Sequence, residues 1–417
     1  MANSPKIAII GAGPAGCMLA RLLHLANISV TVFEGEASPN YRSQGGTLDL
    51  HTTTGLAAVK EAGLFDQFLS KARYDGDSMQ FTDKNLKVLF ERAASLAPSD
   101  FDASGKPRSG LTEQRPEIDR ADLRRILTEA LPSSIICWNR HLTGFDPETG
   151  TLTFLSGAPE SGFDLVVGAD GAWSKTRAGF RPANAKPDFS GIGLIQLSIP
   201  SAATTAPAVH AAVRGGNLFA TDNGCRIALQ QLGDGSIWIS LALAVPSEDW
   251  ANPDQCGFDV HSLSSVQTAL TSPSSTPSPW FRPWHPLLTS ALLAAATDPV
   301  PRTLYQLPVG FRWPHTQGVT LIGDAAHLMT PFAGEGVNLA LMDALVLARR
   351  IVQAAREGGE GGLDRAVAGY EEEMWPRAES FARLTDGSAK VWFGETGTAE
   401  EVFAKWMALR VKFHSKS

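Results

Sequence analysis

The sequence is short of cysteine, of charge and of long apolar runs. Its four cysteines, Cys17, Cys137, Cys225 and Cys256, are scattered without C-x-x-C spacing, which excludes a disulfide framework or a cysteine zinc site and points to a reducing compartment. No other residues are grouped like metal ligands, so no metal is expected. No apolar run approaches the ~18 residues of a membrane span, and the first residues pass into an apolar strand pattern without a basic leader. A soluble, cytoplasmic protein is the expectation. Charged residues are 19% of the 417 positions, below the ~25% of ordinary soluble domains. The balance is acidic, 36 Lys and Arg against 43 Asp and Glu for a formal charge of −7, which leaves no footprint for nucleic acid or an anionic membrane.

Glycine and proline are plentiful. The 39 Gly and 26 Pro make about 16% of the chain against a usual ~12%, which reads as many turns and close backbone approaches. Hydrophobic residues reach 43%, so disorder is excluded, and the length suggests two or three packed units. Residues 7–10 form an apolar run ending at Gly11, residues 17–25 have helical spacing, and 29–33 are a second β-branched run. Together they make a βαβ unit. Helices are expected at 53–62 and 120–130, the latter with Asp119 as N-cap, and a buried strand at 164–167. From 187 to 245 the pattern turns to alternation, with a Gly233-Asp234-Gly235 turn typical of antiparallel hairpins. Residues 92–112 and 270–280 read as loop and connector, 319–322 as a strand, and 336–355, 362–384 and 399–413 as helices.

Three motifs carry chemistry. Gly11-Ala12-Gly13-Pro14-Ala15-Gly16 leaves a strand and opens a helix: Gly11 permits the tight turn, Gly13 lets amides approach a pyrophosphate, and Gly16 lets helix and strand pack. Glu34, eighteen residues beyond Gly16 at the end of the next strand, suits an adenosine ribose and favours FAD or NAD over NADP at this position. Asp170-Gly171 follows the strand at 164–167. Gly323-Asp324 ends another strand and leads through Pro331, Phe332 and Gly334 to a helix beginning near Gly336, whose amides suit the electron-rich edge of a reduced flavin. Read alone, the second motif is equally a solvated loop, and His327 a hydrogen-bonding residue.

In this order and spacing the motifs resemble the group A flavoprotein monooxygenases of the para-hydroxybenzoate hydroxylase type. The resemblance implies an α/β fold, a split Rossmann-like FAD-binding domain with a β-sheet-rich substrate domain and a C-terminal bracing helix. The FAD-binding domain would be residues 1–75, 111–185 and 312–395, the substrate domain 76–110 and 186–311, and the last helix 396–417. Carried over by position, FAD contacts fall on Gly11, Gly13, Pro14, Ala15, Gly16, Glu34, Asp170, Asp324, Pro331, Gly334, Gly336, Val337 and Asn338, with Arg120 near the phosphates. A narrower resemblance, in Gly45-Gly46-Thr47-Leu48-Asp49-Leu50-His51, residues 116–123 and residues 323–337, is to the TetX-like tetracycline-inactivating enzymes. It implies that Asp49 binds FAD and that Arg42 helps recognise NADPH. Gln196 aligns with a substrate-contacting glutamine. Asn217, Ala228 and Trp238 replace an arginine, an aromatic and a histidine of those enzymes, which favours a flatter, less polar substrate than tetracycline. With Gln230 and Phe332 they form the expected substrate pocket, although Gln196 and Asn217 suit satisfied sheet polars and Ala228 and Trp238 suit plain packing equally well.

The function so implied is an NADPH- and O2-using, FAD-dependent monooxygenase that hydroxylates or epoxidises an aromatic or polycyclic small molecule of secondary metabolism through a C4a-hydroperoxyflavin. No side chain is assigned as catalytic, because the flavin carries the chemistry. A monomer is expected. A flavin reductase or halogenase on the same fold and a non-catalytic FAD-binding redox protein stand as alternatives. The halogenase Trp-x-Trp-x-Ile-Pro signature is missing.

Overall fold

A computed structural model describes residues 4–39, 41, 45–94, 96, 100, 115–180, 186–271 and 283–415. The runs that are apolar at successive positions form one parallel sheet. Five strands lie in the order Val319–Leu321, Leu165–Gly168, Lys6–Ile10, Ser29–Phe33, Ile136–Cys137. Ile7, Ala8, Ile9, Leu165, Val167 and Leu321 are wholly enclosed, as expected of strands covered on both faces. Helix Pro14–Leu25 crosses between the first two strands in the chain, and helix Gly336–Glu357 packs beside it, with Met18, Leu19, Leu341 and Leu345 in the shared core.

The alternating segments form a seven-stranded sheet in the order Val300–Gln306, Asp188–Ile199, Ile237–Ala244, Cys225–Gln231, Asn217–Asp222, Met79–Asp83, Val88–Arg92. All pairs are antiparallel except that between Asn217–Asp222 and Met79–Asp83. One face carries Ile195, Leu197, Ile227, Leu229, Ile239 and Leu241, buried with Val209 and Val213 of helix Pro207–Val213 and Leu288 and Leu292 of helix Pro286–Ala294. By the two-residue period, Gln196, Ser198, Ala228, Gln230, Trp238 and Ser240 share the opposite face.

Some expectations change. Asp119 occupies the N-cap position of helix Arg120–Glu129, yet its side chain caps nothing there. Its carboxylate accepts the Gly233 N–H at 3.0 and 3.2 Å instead, because the strand pair Thr47–Asp49 and Glu117–Asp119 turns it toward that hairpin. Residues 272–282 of the connector and 95, 97–99 and 101–114 of the long loop lie outside the described residues. Helix Gly362–Ala389 runs past its expected end and closes in a π-helical turn, Lys390–Gly394. Thr398 and Glu401 form a capping box at 3.3 and 3.0 Å, which starts helix Ala399–His414. Its Val402, Phe403 and Trp406 pack on Phe81 of the seven-stranded sheet and on Trp392, so the last helix braces the sheet against the preceding helix.

Candidate functional site

The C-terminal ends of neighbouring strands in the parallel sheet bring the three motifs to one edge, the place where doubly wound sheets take nucleotides. Gly11 has φ +105°, and a β-carbon there would stand 2.4 Å from the Ala169 carbonyl oxygen; one on Gly16 would stand 2.0 Å from the Gly11 oxygen. At Gly13, by contrast, nothing lies within 4 Å. Gly13 is the N-cap of helix Pro14–Leu25 without a side-chain cap, and Pro14 occupies its first turn. The first amides of a twelve-residue helix therefore face open space, a ready cradle for a diphosphate. Ala15 is buried beneath the cradle and its β-carbon lies 3.4 Å from the β-carbon position of Gly323, which joins the first motif to the third. Glu34 reaches the same loop, its carboxylate accepting the Ala12 N–H at 2.6 Å and the Glu36 N–H at 2.8 Å.

Asp324 opens the short helix Asp324–His327. Its side chain is exposed although protein surrounds it, the condition of a group in the wall of a crevice. Those surroundings raise its pKa, opposed by His327, Arg120 and Arg177. Arg120 stands in the same crevice. Burial lowers its pKa while Asp324 and Glu117 raise it. The turn before Asp324 is held from below: buried Asp343 accepts the Gly323 N–H at 3.0 Å, pairs with His327 Nε2 at 2.6 Å and accepts Arg377 Nη2 at 3.1 Å. His327 is thus a positioning residue. Asp170 spends its carboxylate on its own turn, accepting the Lys175 and Thr176 N–H groups at 2.8 and 3.0 Å and the Ser174 and Thr176 hydroxyls. Gly171 follows in the left-handed region, φ +73°.

The loop from Pro331 to Gly336 faces the strand Thr47–Asp49. Gly334, φ +75°, has its β-carbon position 4.0 Å from Asp49 Oδ1. Gly336 begins a 22-residue helix with nothing within 4 Å of its β-carbon position, a second unobstructed helix N-terminus. Val337 packs on the core. Asn338 is fully enclosed, and its amide pins the two segments together, donating to the Asp49 carbonyl at 2.9 Å while its oxygen accepts the His51 N–H at 2.9 Å. His51 bridges Asp49 at 2.9 Å and Glu335 at 3.4 Å. Burial opposes its charge, but the two carboxylates outweigh burial and raise its pKa to about 9. Arg42 lies outside the described residues.

On the facing sheet, Gln196, Ser240, Ala228 and Phe219 stand in one register row, and Ser198, Trp238, Gln230 and Asn217 in the next. Asn217 is buried and both its amide hydrogens are committed: it donates to the Gly76 carbonyl at 3.0 Å and Glu117 Oε1 at 3.3 Å, and its oxygen accepts from Gln230 Nε2 at 2.8 Å. Burial, then Asp49, raises the pKa of Glu117 to about 8. Trp238 lines a cleft of about 450 Å³ between the seven-stranded sheet and helix Arg120–Glu129, with Gly45, Gly46, Arg124 and Ser198. Phe332 packs with Leu194 and Ala242 of the sheet, 4.9 Å from Phe393.

The residues present fit FAD: a glycine cradle that side chains would fill, two open helix N-termini, and an accessible acid on the same edge. The chain matches the FAD binding domain family over residues 5–213 and 312–385. It belongs to that family. Monooxygenase penA of Penicillium thymicola is 32% identical over 443 aligned positions, which cover 95% of this chain and 97% of that protein. Monooxygenase asqM of Emericella nidulans is 30% identical, covering 97% and 98%. Among solved structures, Klebsiella pneumoniae HpxO, complexed with FAD and uric acid, superposes with a TM-score of 0.72 at 18% identity, covering 97% of this chain and 92% of that one. Tetracycline destructase Tet(55) gives a TM-score of 0.69 at 20% identity, covering 99% and 97%. With relatives of this name spanning nearly its whole length, the chain is a flavin-dependent monooxygenase, and FAD is its cofactor.

Sequence reasoning missed His51, Glu335, Glu117 and Asp343, which act on the site through other residues.

Proposed function

We propose that the protein uses NADPH and O2 to place one oxygen atom on an aromatic or polycyclic small molecule, by hydroxylation or epoxidation, as a step of secondary metabolism. The observation that carries this reading is the opposition of two surfaces. The nucleotide edge, with its open helix N-termini at Gly13 and Gly336, faces a sheet whose inner rows mix rings with amides and hydroxyls. FAD, when bound, supplies the activation of O2. The chain's own part is to hold and orient. Gly11, Gly13 and Gly16 let backbone amides meet the diphosphate, Glu34 and Asp324 take sugar and ribityl hydroxyls, and Arg120 adds a cation near the phosphates. The amides at Gly336 would face negative charge on the flavin ring, and Phe332 with the sheet would keep water out.

NADPH has no second glycine fingerprint, and a transient site in a groove suits it. The cleft beside Gly45 and Gly46, walled by Arg124 and Arg125, supports such a site. An aromatic substrate is supported by a relative named for one: 3-amino-4-hydroxybenzoate 2-monooxygenase PtnB3 of Streptomyces platensis, 28% identical over 91% of this chain. Purified protein should be yellow, should bleach with NADPH and regain colour in air, and should consume O2 faster with a substrate than without. Colourless protein that FAD cannot reconstitute sinks the reading. Flavin reduction without substrate-linked O2 uptake makes the protein a reductase, and FAD binding without NADPH oxidation makes it a redox-sensing protein.

A further inference from the structure

Glu117 is a buried acid to which the binding of cofactor and substrate assigns no task. It stands directly opposite Asp49 in the ladder of Thr47–Asp49 and Glu117–Asp119, so both carboxyls project from the same side of a short ribbon, which costs stability when both are charged. The residue is 7% exposed. Its side chain lies on the backbone at Gly76, where a β-carbon would stand 2.9 Å from its own. Oε1 accepts from Asn217 Nδ2 at 3.3 Å; Oε2 is enclosed and, among the described residues, has no hydrogen-bond partner. The charged groups around it are Asp49 across the ladder, Asp77 beyond Gly76, Arg73 of the bridge that pairs with its backbone at 2.7 and 2.9 Å, and Arg120 of the following helix. Arg73 spends its guanidinium on the Gly215 and Gln231 carbonyls. With its pKa raised to about 8 by burial and by Asp49, the carboxyl is neutral at neutral pH.

A glutamine here would keep the bond from Asn217 and the packing on Gly76. What a glutamate adds is a proton that can leave. Its departure reaches the cofactor edge by two routes. Asp49, across the ladder, stands beside the loop from Pro331 to Gly336, its Oδ1 4.0 Å from the β-carbon position of Gly334. Arg120, the cation of the nucleotide crevice, lies within the field of Glu117. An ionised Glu117 sets like charges against each other in the ribbon and offsets part of the Arg120 charge that a diphosphate would meet. A neutral Glu117 does neither. FAD brings two further negative charges to this crevice, so its binding and the Glu117 proton favour each other, and by linkage each strengthens the other equally.

We propose that Glu117 is a positioning residue whose proton must be in place for the crevice to hold FAD tightly, so that cofactor retention is tied to pH through the Thr47–Asp49 ribbon. The assignment rests on FAD as the cofactor and on nothing about the substrate. Its test strips the full chain of FAD and titrates FAD back from pH ~7 to ~9, reading flavin fluorescence. Calorimetry at pH ~8.5 in two buffers of different ionisation enthalpy reads the proton balance. Kd should rise about fivefold or more across the range, and binding at pH ~8.5 should take up a fraction of a proton. His51 titrates in the same range, so the deciding comparison is with Glu117→Gln. That variant should bind FAD within about threefold of wild type at pH ~7, lose about half or more of the rise in Kd, and take up markedly less proton. Asn217→Ala removes a donor that favours the ionised carboxylate and should move the rise to higher pH. A wild type with a flat Kd and no proton uptake overturns the assignment; so does a Glu117→Gln protein that keeps the wild-type rise and uptake. Should Glu117→Gln fail to fold, Asn217→Ala decides, and an unmoved rise overturns the assignment. Wild-type protein that binds no FAD at any pH sinks the cofactor reading and this assignment with it, whereas FAD held with a flat Kd sinks only the role of Glu117.

Discussion

Trp238 Cη2 lies 2.6 Å from where a β-carbon on Gly45 would stand, and Cζ2 lies 2.7 Å from it. The seven-stranded sheet thus rests directly on the backbone that leads into the strand Thr47–Asp49, and Gly45 has φ +54°. Gly45→Ala should cost about 2–4 kcal/mol through left-handed strain and overpacking together, measured by urea unfolding. Adding Trp238→Ala removes the obstacle, so the double variant should be less destabilised than the two single costs combined. Additive costs would show that the two residues do not share this contact.

Two glycines of one motif should fail in different ways. Gly13 has no neighbour within 4 Å of its β-carbon position, so Gly13→Glu should fold with an apo melting temperature near wild type yet hold no flavin, because a carboxylate replaces the space for a diphosphate. Gly16→Ala puts a methyl group 2.0 Å from the Gly11 oxygen and should lower stability itself, by about 1–3 kcal/mol. Flavin content and thermal melts of the two proteins separate the effects. A Gly13→Glu protein that stays yellow contradicts the cradle.

His51 makes stability depend on alkaline pH. Its folded pKa of about 9 lies above the ~6.5 of an unfolded histidine. A raised pKa means that the proton stabilises the fold: the contribution is complete below pH ~6.5 and disappears as pH rises through about 9. His51→Gln should therefore lose about 2 kcal/mol relative to wild type at pH ~6, and the difference should shrink toward zero by pH ~10. Thermal melts across that range check it. A gap independent of pH removes the ion pairs with Asp49 and Glu335 as its cause.

Phe403 packs 5.6 Å from Phe81 and 5.7 Å from Trp406, ring centre to ring centre, so the last helix is anchored by rings. Phe403→Ala should cost about 3 kcal/mol, and deletion after Thr398 should cost more while lowering FAD retention. Unchanged melting and flavin content in the truncated protein dispose of the bracing role.

The nucleotide half was legible because its signals are local. An apolar run such as residues 7–10 is buried on both faces only in a covered parallel sheet, and Gly11, Gly13 and Gly16 state where backbone must come close. The alternation in 187–245 likewise revealed which side chains share a face. Short strands such as Thr47–Asp49 and Glu117–Asp119 carry too few residues for a period to emerge, and the N-cap position of Asp119 left its second partner, Gly233, unseen.

Sequence by itself determined the class of protein: an α/β chain with an FAD cradle, no polyanion footprint and a sheet with one apolar and one mixed face, because backbone dihedrals, side-chain periods and charge are properties of neighbouring residues. Tertiary structure alone decided which groups meet. Asn338 reaches His51 across 287 positions, Glu117 reaches Asn217 across 100, and Arg226 stands among the rings of Phe81, Phe219 and Trp392. Such pairings are set by strand register and by how two sheets and a terminal helix fill one another's gaps, and packing of that kind is settled only when the whole chain has closed.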